Sequence, residues 1–92
     1  MKKTFAQLKR DLQVNTKVKT IQNIFKKEFI NEIRTISKVQ SNAIAFKCIR
    51  NGKETDSWLW WQKASNYEYT DNTFKIFDDN KNLVFEYEIL KE

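Results

Sequence analysis

From residue 32 onward, apolar and polar positions alternate in short runs. In AIAFKCIR, Ile44, Phe46 and Cys48 fall on one side of an extended chain, and Ala45, Lys47 and Ile49 on the other. EIRTISKVQ before it is rich in Ile, Val and Thr. NYEYT places Tyr67 and Tyr69 on one side, TFKIF follows, and LVFEYEIL lines up Leu83, Phe85, Tyr87 and Ile89 against Glu86 and Glu88. Turn signals separate the runs: QSN, Asn51-Gly52, Asp71-Asn72, and Asp78 to Asn82. Asn-Gly is the strongest of them, because both central positions of a type I′ turn need positive φ. Upstream, KVKTIQN at 17–23 also reads as extended.

The beginning of the chain follows a different period. Thr4 with Gln7 three residues on makes a capping box, and Phe5, Leu8 and Leu12 form a stripe behind it. This predicts a helix over about 5–13. Residues 24–31 are ambiguous. Ile21, Phe25, Phe29 and Ile33 recur every four residues, as in a helix, yet Glu28 and Glu32 fall inside the apolar wedge. A loop or short helix between two strands is expected there.

The pattern predicts one domain over residues 1–92, α+β but mainly β. The N-terminal helix precedes a small antiparallel, strongly bent sheet, or an SH3- or OB-like barrel, of about six strands over about 17–90. The helix would cover an open end. The chain of 92 residues supports one core.

SWLWWQKA, residues 57–64, holds all three tryptophans. In a strand, Trp58 and Trp60 point one way and Leu59 and Trp61 the other. Leu59 and Trp61 are the expected core pair, and at least two of the three tryptophans are expected in the core. The helix stripe needs an apolar partner, and Trp58 or Trp60 is expected to supply it, leaving at most one of them free.

Charge is unevenly distributed. The net charge is +5, but residues 1–53 hold thirteen Lys/Arg against three Asp/Glu, a net of +10, while residues 54–92 hold four Lys against nine acids, a net of −5. Only Arg10, Arg34 and Arg50 are arginine, so any polyanion attraction is diffuse rather than bidentate. An AT-rich coding sequence would also account for the abundance of Lys.

The composition excludes most chemistry. There is no His, one Cys (Cys48) and one Gly (Gly52). Catalytic triads, ordinary zinc sites, phosphate-cradling loops and dinucleotide fingerprints are therefore out of reach. Cys48 reads as a buried thiol. Asp78, Asn80 and Asn82 open like a calcium loop, but Leu83 stands where that loop needs Gly and Ile89 where it needs Glu, so a hairpin turn is expected. Asp56, Glu68, Asp71, Glu86 and Glu88 are the remaining acid–base candidates. No enzyme activity, cofactor or metal is expected. TFAQLKRD stands where a secretory leader would need its apolar core, and no run reaches the ~18 residues of a membrane span. A cytoplasmic protein is expected.

The runs KVQSNAIAF, SWLWWQKASNYEYT and NTFKIFDDNKNLVFEYEI resemble small proteins encoded by phages and prophages of low-GC Gram-positive bacteria. The likeness is one of texture over about residues 4–90. It departs at Gln62, where those proteins carry Pro before Lys-Ala. The resemblance implies an accessory protein of a mobile genetic element acting in a bacterial cytoplasm. Proteins of that kind bind nucleic acid or block host defence systems, CRISPR nucleases included.

Binding is the function left. The candidate surface combines Lys17, Lys19, Arg34, Lys38, Lys47, Arg50 and Lys63 with the aromatics Trp58, Trp60, Tyr67 and Tyr69. Aromatics among cations on a curved sheet hold single-stranded nucleic acid, with stacking worth ~1–3 kcal/mol per base. The expected partner is nucleic acid or a nucleoprotein. The alternatives are a host defence enzyme held by protein contact, since Trp and Tyr also dominate protein interfaces, and self-association.

Overall fold

The computed structural model describes residues 2–90, with the side chain of Arg50 outside the described residues. The expected helix forms over Phe5–Asp11, and it starts where the capping box placed it: the Thr4 side chain accepts the N–H of Gln7 at 3.1 Å. Its stripe docks as the period requires. Leu8 and Leu12 are fully buried, while Phe5 is half-buried.

The described residues form eight strands, β1 (Lys2–Lys3), β2 (Lys17–Asn23), β3 (Ile33–Val39), β4 (Ala43–Arg50), β5 (Lys53–Trp60), β6 (Tyr67–Thr70), β7 (Thr73–Phe77) and β8 (Leu83–Leu90); β2 to β8 follow the expected runs, and β1, before the helix, was not expected. All pairings are antiparallel, in the order β1-β6-β7-β8-β2-β3-β4-β5. The ambiguous stretch between β2 and β3 holds a single 3₁₀ turn, Lys27–Phe29.

The turns are local chemistry. Asn51 and Gly52 take φ of 53° and 76°, and Arg50 faces Lys53 across them, as a two-residue hairpin requires. Asp71, at φ 54°, turns β6 into β7. Between β7 and β8 the Asp78 carboxylate accepts the N–H groups of Asn80 and Asn82, both at 2.9 Å, so it caps its own turn.

The sheet bends at β3. Its first half, Ile33 to Thr35, pairs with β2; its second half, Ile36 to Val39, pairs with β4 after a register shift between Ile36 and Lys38. The bend encloses a core of Leu8, Leu12, Val18, Ile36, Ile44, Phe46, Tyr69, Phe74, Ile76, Tyr87 and Ile89.

Two expectations are corrected here. The sheet has eight strands rather than about six, and it is an open sheet rather than a closed barrel: β5 pairs only with β4, and β6 pairs with β1 and β7. The sheet's two outer strands are β5 and β1, and no ladder joins them among the described residues. Trp61 leaves β5, Tyr67 begins β6, and the Phe5 ring contacts both, 5.5 Å from Trp61 and 4.6 Å from Tyr67 between centroids. Three rings pack together where the chain passes from β5 to β6.

The same cluster overturns the expected partner of the helix. The helix takes Trp61, not Trp58 or Trp60. Trp61 and Leu59 pack against the core as expected, but the other two tryptophans do not, so only one of the three is a core residue.

Candidate functional site

Hairpin register decides what each face of β4 and β5 carries. Ile44 faces Leu59, Phe46 faces Ser57 and Cys48 faces Thr55, and this set points to the core, with Cys48 buried. Ala43 faces Trp60, Ala45 faces Trp58 and Lys47 faces Asp56, and this set points outward. Ala43 and Ala45 are completely buried although they lie on the outward side. Each is the cross-strand partner of an indole.

The two indoles stack on each other, with centroids 6.1 Å apart and planes 26° from parallel. Trp58 is 38% exposed and Trp60 56%. β5, which carries them, is an edge strand of the sheet.

Charges surround the pair in matched sets. The β3 bulge brings Ser37 and Lys38 toward Asp56: Lys38 Nζ lies 2.9 Å from Asp56 Oδ2, and the Ser37 hydroxyl donates to Asp56 Oδ1 at 2.8 Å. Those two contacts, the Lys38 one first, hold the Asp56 carboxyl below its ordinary range. Lys38 Nζ also sits 6.0 Å from the centroid of the Trp58 ring. Lys47 Nζ is 3.8 Å from Glu54. The platform is thus aromatic at its centre and close to neutral at its rim.

The structure brings Lys38, Lys47, Trp58 and Trp60 together and separates the other candidates from them. Lys17 and Lys19 project outward from β2, where Lys19 faces Glu88. Lys63 lies in the link between β5 and β6, beside a recess of mixed charge with Lys2, Glu68, Asp78 and Lys81. Arg50 ends β4 opposite Lys53; its side chain lies outside the described residues.

Three candidates belong to the interior. Tyr69 is buried, and its hydroxyl donates to Asp11 Oδ2 at 2.6 Å; burial and then that carboxylate push its pKa far up. Tyr67 packs between Phe5 and Trp61, its oxygen accepts the N–H of Gln62 at 2.9 Å, and burial raises its pKa. Arg34 is buried because it shares inward parity with Ile36; its Nε contacts Glu32 at 3.3 Å and its guanidinium lies 4.2 Å from the Phe29 centroid. The expected single face of cations and tyrosines is corrected accordingly: Arg34, Tyr67 and Tyr69 belong to the interior, and Lys17, Lys19 and Lys63 lie apart from the tryptophan pair.

Of the acid–base candidates, Asp56 serves the platform, while Glu86 and Glu88 face Lys75 and Lys19 across β8. Among the described residues no group of three His, Cys, Asp or Glu side chains is placed to hold a metal ion, and no helix is long and apolar enough to cross a membrane. No family model matches the chain, and neither a curated protein nor a solved structure does.

Sequence reasoning missed Ser37, Ala43, Ala45 and Glu54, and named Asp56 only as an acid–base candidate. The signal was present for most of them. Counting back from the Asn51-Gly52 turn pairs Ala45 with Trp58, Ala43 with Trp60 and Lys47 with Asp56. The bulge at Ser37 has no such signal.

Proposed function

We propose that this protein is a non-enzymatic docking module that binds another protein through the outward face of the β4–β5 hairpin. One observation carries the reading: an exposed, mutually stacked Trp58–Trp60 pair on an edge strand, ringed by cations already paired with Asp56 and Glu54. Large rigid aromatics at the centre of a patch with a polar rim are what protein hot spots are made of. A free strand edge beside them offers backbone groups for pairing with a partner strand. On the phage-like texture of the sequence, the partner is a host protein met in the bacterial cytoplasm, a defence enzyme foremost.

The test is a nuclease-treated pull-down from a bacterial host. Wild-type protein should retain a partner that the Trp58→Ala/Trp60→Ala variant loses. Retention by both, with the variant folded, counts against this face.

A second reading, binding of nucleic acid, is favoured by Lys38 over the Trp58 ring and by the +10 net charge of residues 1–53. It requires affinity that falls steeply with salt. Absence of any shift with single- or double-stranded DNA or RNA at low salt removes it.

A further inference from the structure

A second site lies on the inward side of the bent sheet. The chain between β2 and β3 folds over it, held by the buried Asn23, whose Oδ1 accepts the N–H groups of Phe25 and Lys26 at 3.0 Å each. The result is a cleft of about 210 Å³ between that segment and the middle of β5 at Ser57 to Leu59. Its walls are aromatic: Phe25, Phe29, Phe46, Phe85 and Tyr87. The rings continue one another, with Phe25 5.8 Å from Phe85, Phe85 6.0 Å from Tyr87 and Phe46 5.8 Å from Tyr87.

Arg34 forms part of this lining with only 8% of its side chain exposed. Its Nε contacts Glu32 at 3.3 Å, but Nη2, shut off from solvent, meets no hydrogen-bond acceptor among the described residues. A buried donor left unsatisfied costs about 1–3 kcal/mol, more when it is charged. An acceptor brought into the cleft by a ligand would satisfy that donor. Lys26 shares the cleft, with Nζ 5.5 Å from the Phe29 centroid. Arg34 and Lys26 against Glu32 leave one positive charge uncompensated.

We propose that this cleft binds a compact aromatic anion, its ring among the phenylalanines and its single carboxylate on the guanidinium of Arg34. Flat rings fit an aromatic-walled cleft, and a carboxylate accepts two parallel N–H bonds from a guanidinium. One net positive charge matches a monocarboxylate better than a phosphate dianion. The proposal is independent of the docking reading, with which it shares only Trp58.

Heteronuclear NMR titration of the full chain tests it with four probes: 3-phenylpropionate, its neutral amide, phenyl phosphate and inorganic phosphate. Phenylpropionate should move the Arg34 Nε–H resonance and the amides of Phe25, Ser57 and Leu59 in a saturable way. The neutral amide should bind at least about tenfold more weakly, as should phenylpropionate to Arg34→Met, because the buried charge pairing is lost. Equal binding of acid and amide to the wild type overturns the proposal, and this comparison needs no folded variant. Tighter binding of phenyl phosphate overturns the carboxylate, an equal response to inorganic phosphate overturns the ring, and no response to any probe in the millimolar range overturns the site.

Discussion

Trp58 and Trp60 stack on each other across the outward face of β5, 6.1 Å between centroids, with Ala45 and Ala43 opposite them on β4. Two indoles this close couple electronically. The far-ultraviolet circular dichroism should therefore show an exciton couplet that Trp58→Phe and Trp60→Phe each abolish and Trp61→Phe leaves in place. Neither outward substitution removes a buried core residue, so each should cost under about 1.5 kcal/mol in denaturant unfolding, against about 3 kcal/mol or more for Phe74→Ala in the core.

Tyr69 and Trp61 separate hydrogen bonding from packing. The Tyr69 hydroxyl donates to a carboxylate, whereas Trp61 Nε1 is buried with no acceptor among the described residues. Tyr69→Phe should lower unfolding free energy by about 1.5–3 kcal/mol. Trp61→Phe should lose packing, through its ring contacts with Phe5 and Tyr67 and the Lys9 ammonium 5.9 Å from its centroid, but no hydrogen bond seen among the described residues. Equal hydrogen-bond losses for the two would contradict the assignment.

Stability should fall at alkaline pH. Burial pushes the Tyr87 hydroxyl up to about 12 from an ordinary 10.0, while the Arg34 charge pulls against it. A raised tyrosine pKa favours the neutral folded form, so its contribution is fully present below pH 10.0 and is lost as pH rises through about 12. Across that window the loss is on the order of 2–3 kcal/mol. Chemical denaturation at stepped pH should show it, and Tyr87→Phe should reduce the slope, leaving the part due to Tyr67 and Tyr69.

Asp56 gives the acid-side counterpart. Lys38 and Ser37 hold its pKa below 3.8. A depressed carboxylate contributes above pH 3.8 and stops contributing as pH falls through its folded value. Carboxyl-detected NMR should find its midpoint under 3.8, and Lys38→Met should return it toward that value. An unchanged midpoint would mean that Lys38 does not hold Asp56 in solution.

Much of the strand layout was legible because the side-chain period of two and the turn residues agree. Asn51-Gly52 alone determines the β4–β5 register, and with it the separation of Trp58 and Trp60 from Leu59. What was not legible depends on distant packing. Nothing local states that Phe5 chooses Trp61 and Tyr67 while both other tryptophans stay exposed. Arg34 reads as a surface cation by type. Its inward parity with Ile36 was available, but the Phe29 ring that receives it arrives through the 24–31 segment, whose period was ambiguous.

The strand between the two halves of the sheet has a further consequence for how the chain assembles. In β2, Lys17 faces Thr35 on one side and Leu90 on the other. The β4–β5 hairpin zips across a two-residue turn, but β2 keeps a bare edge until β8 has been synthesised. Closing that span carries a larger loop-closure entropy cost than the two-residue hairpin does. A chain that ends before residue 83 carries the local pairing of its tryptophan hairpin but lacks the partner strand for the other edge of β2.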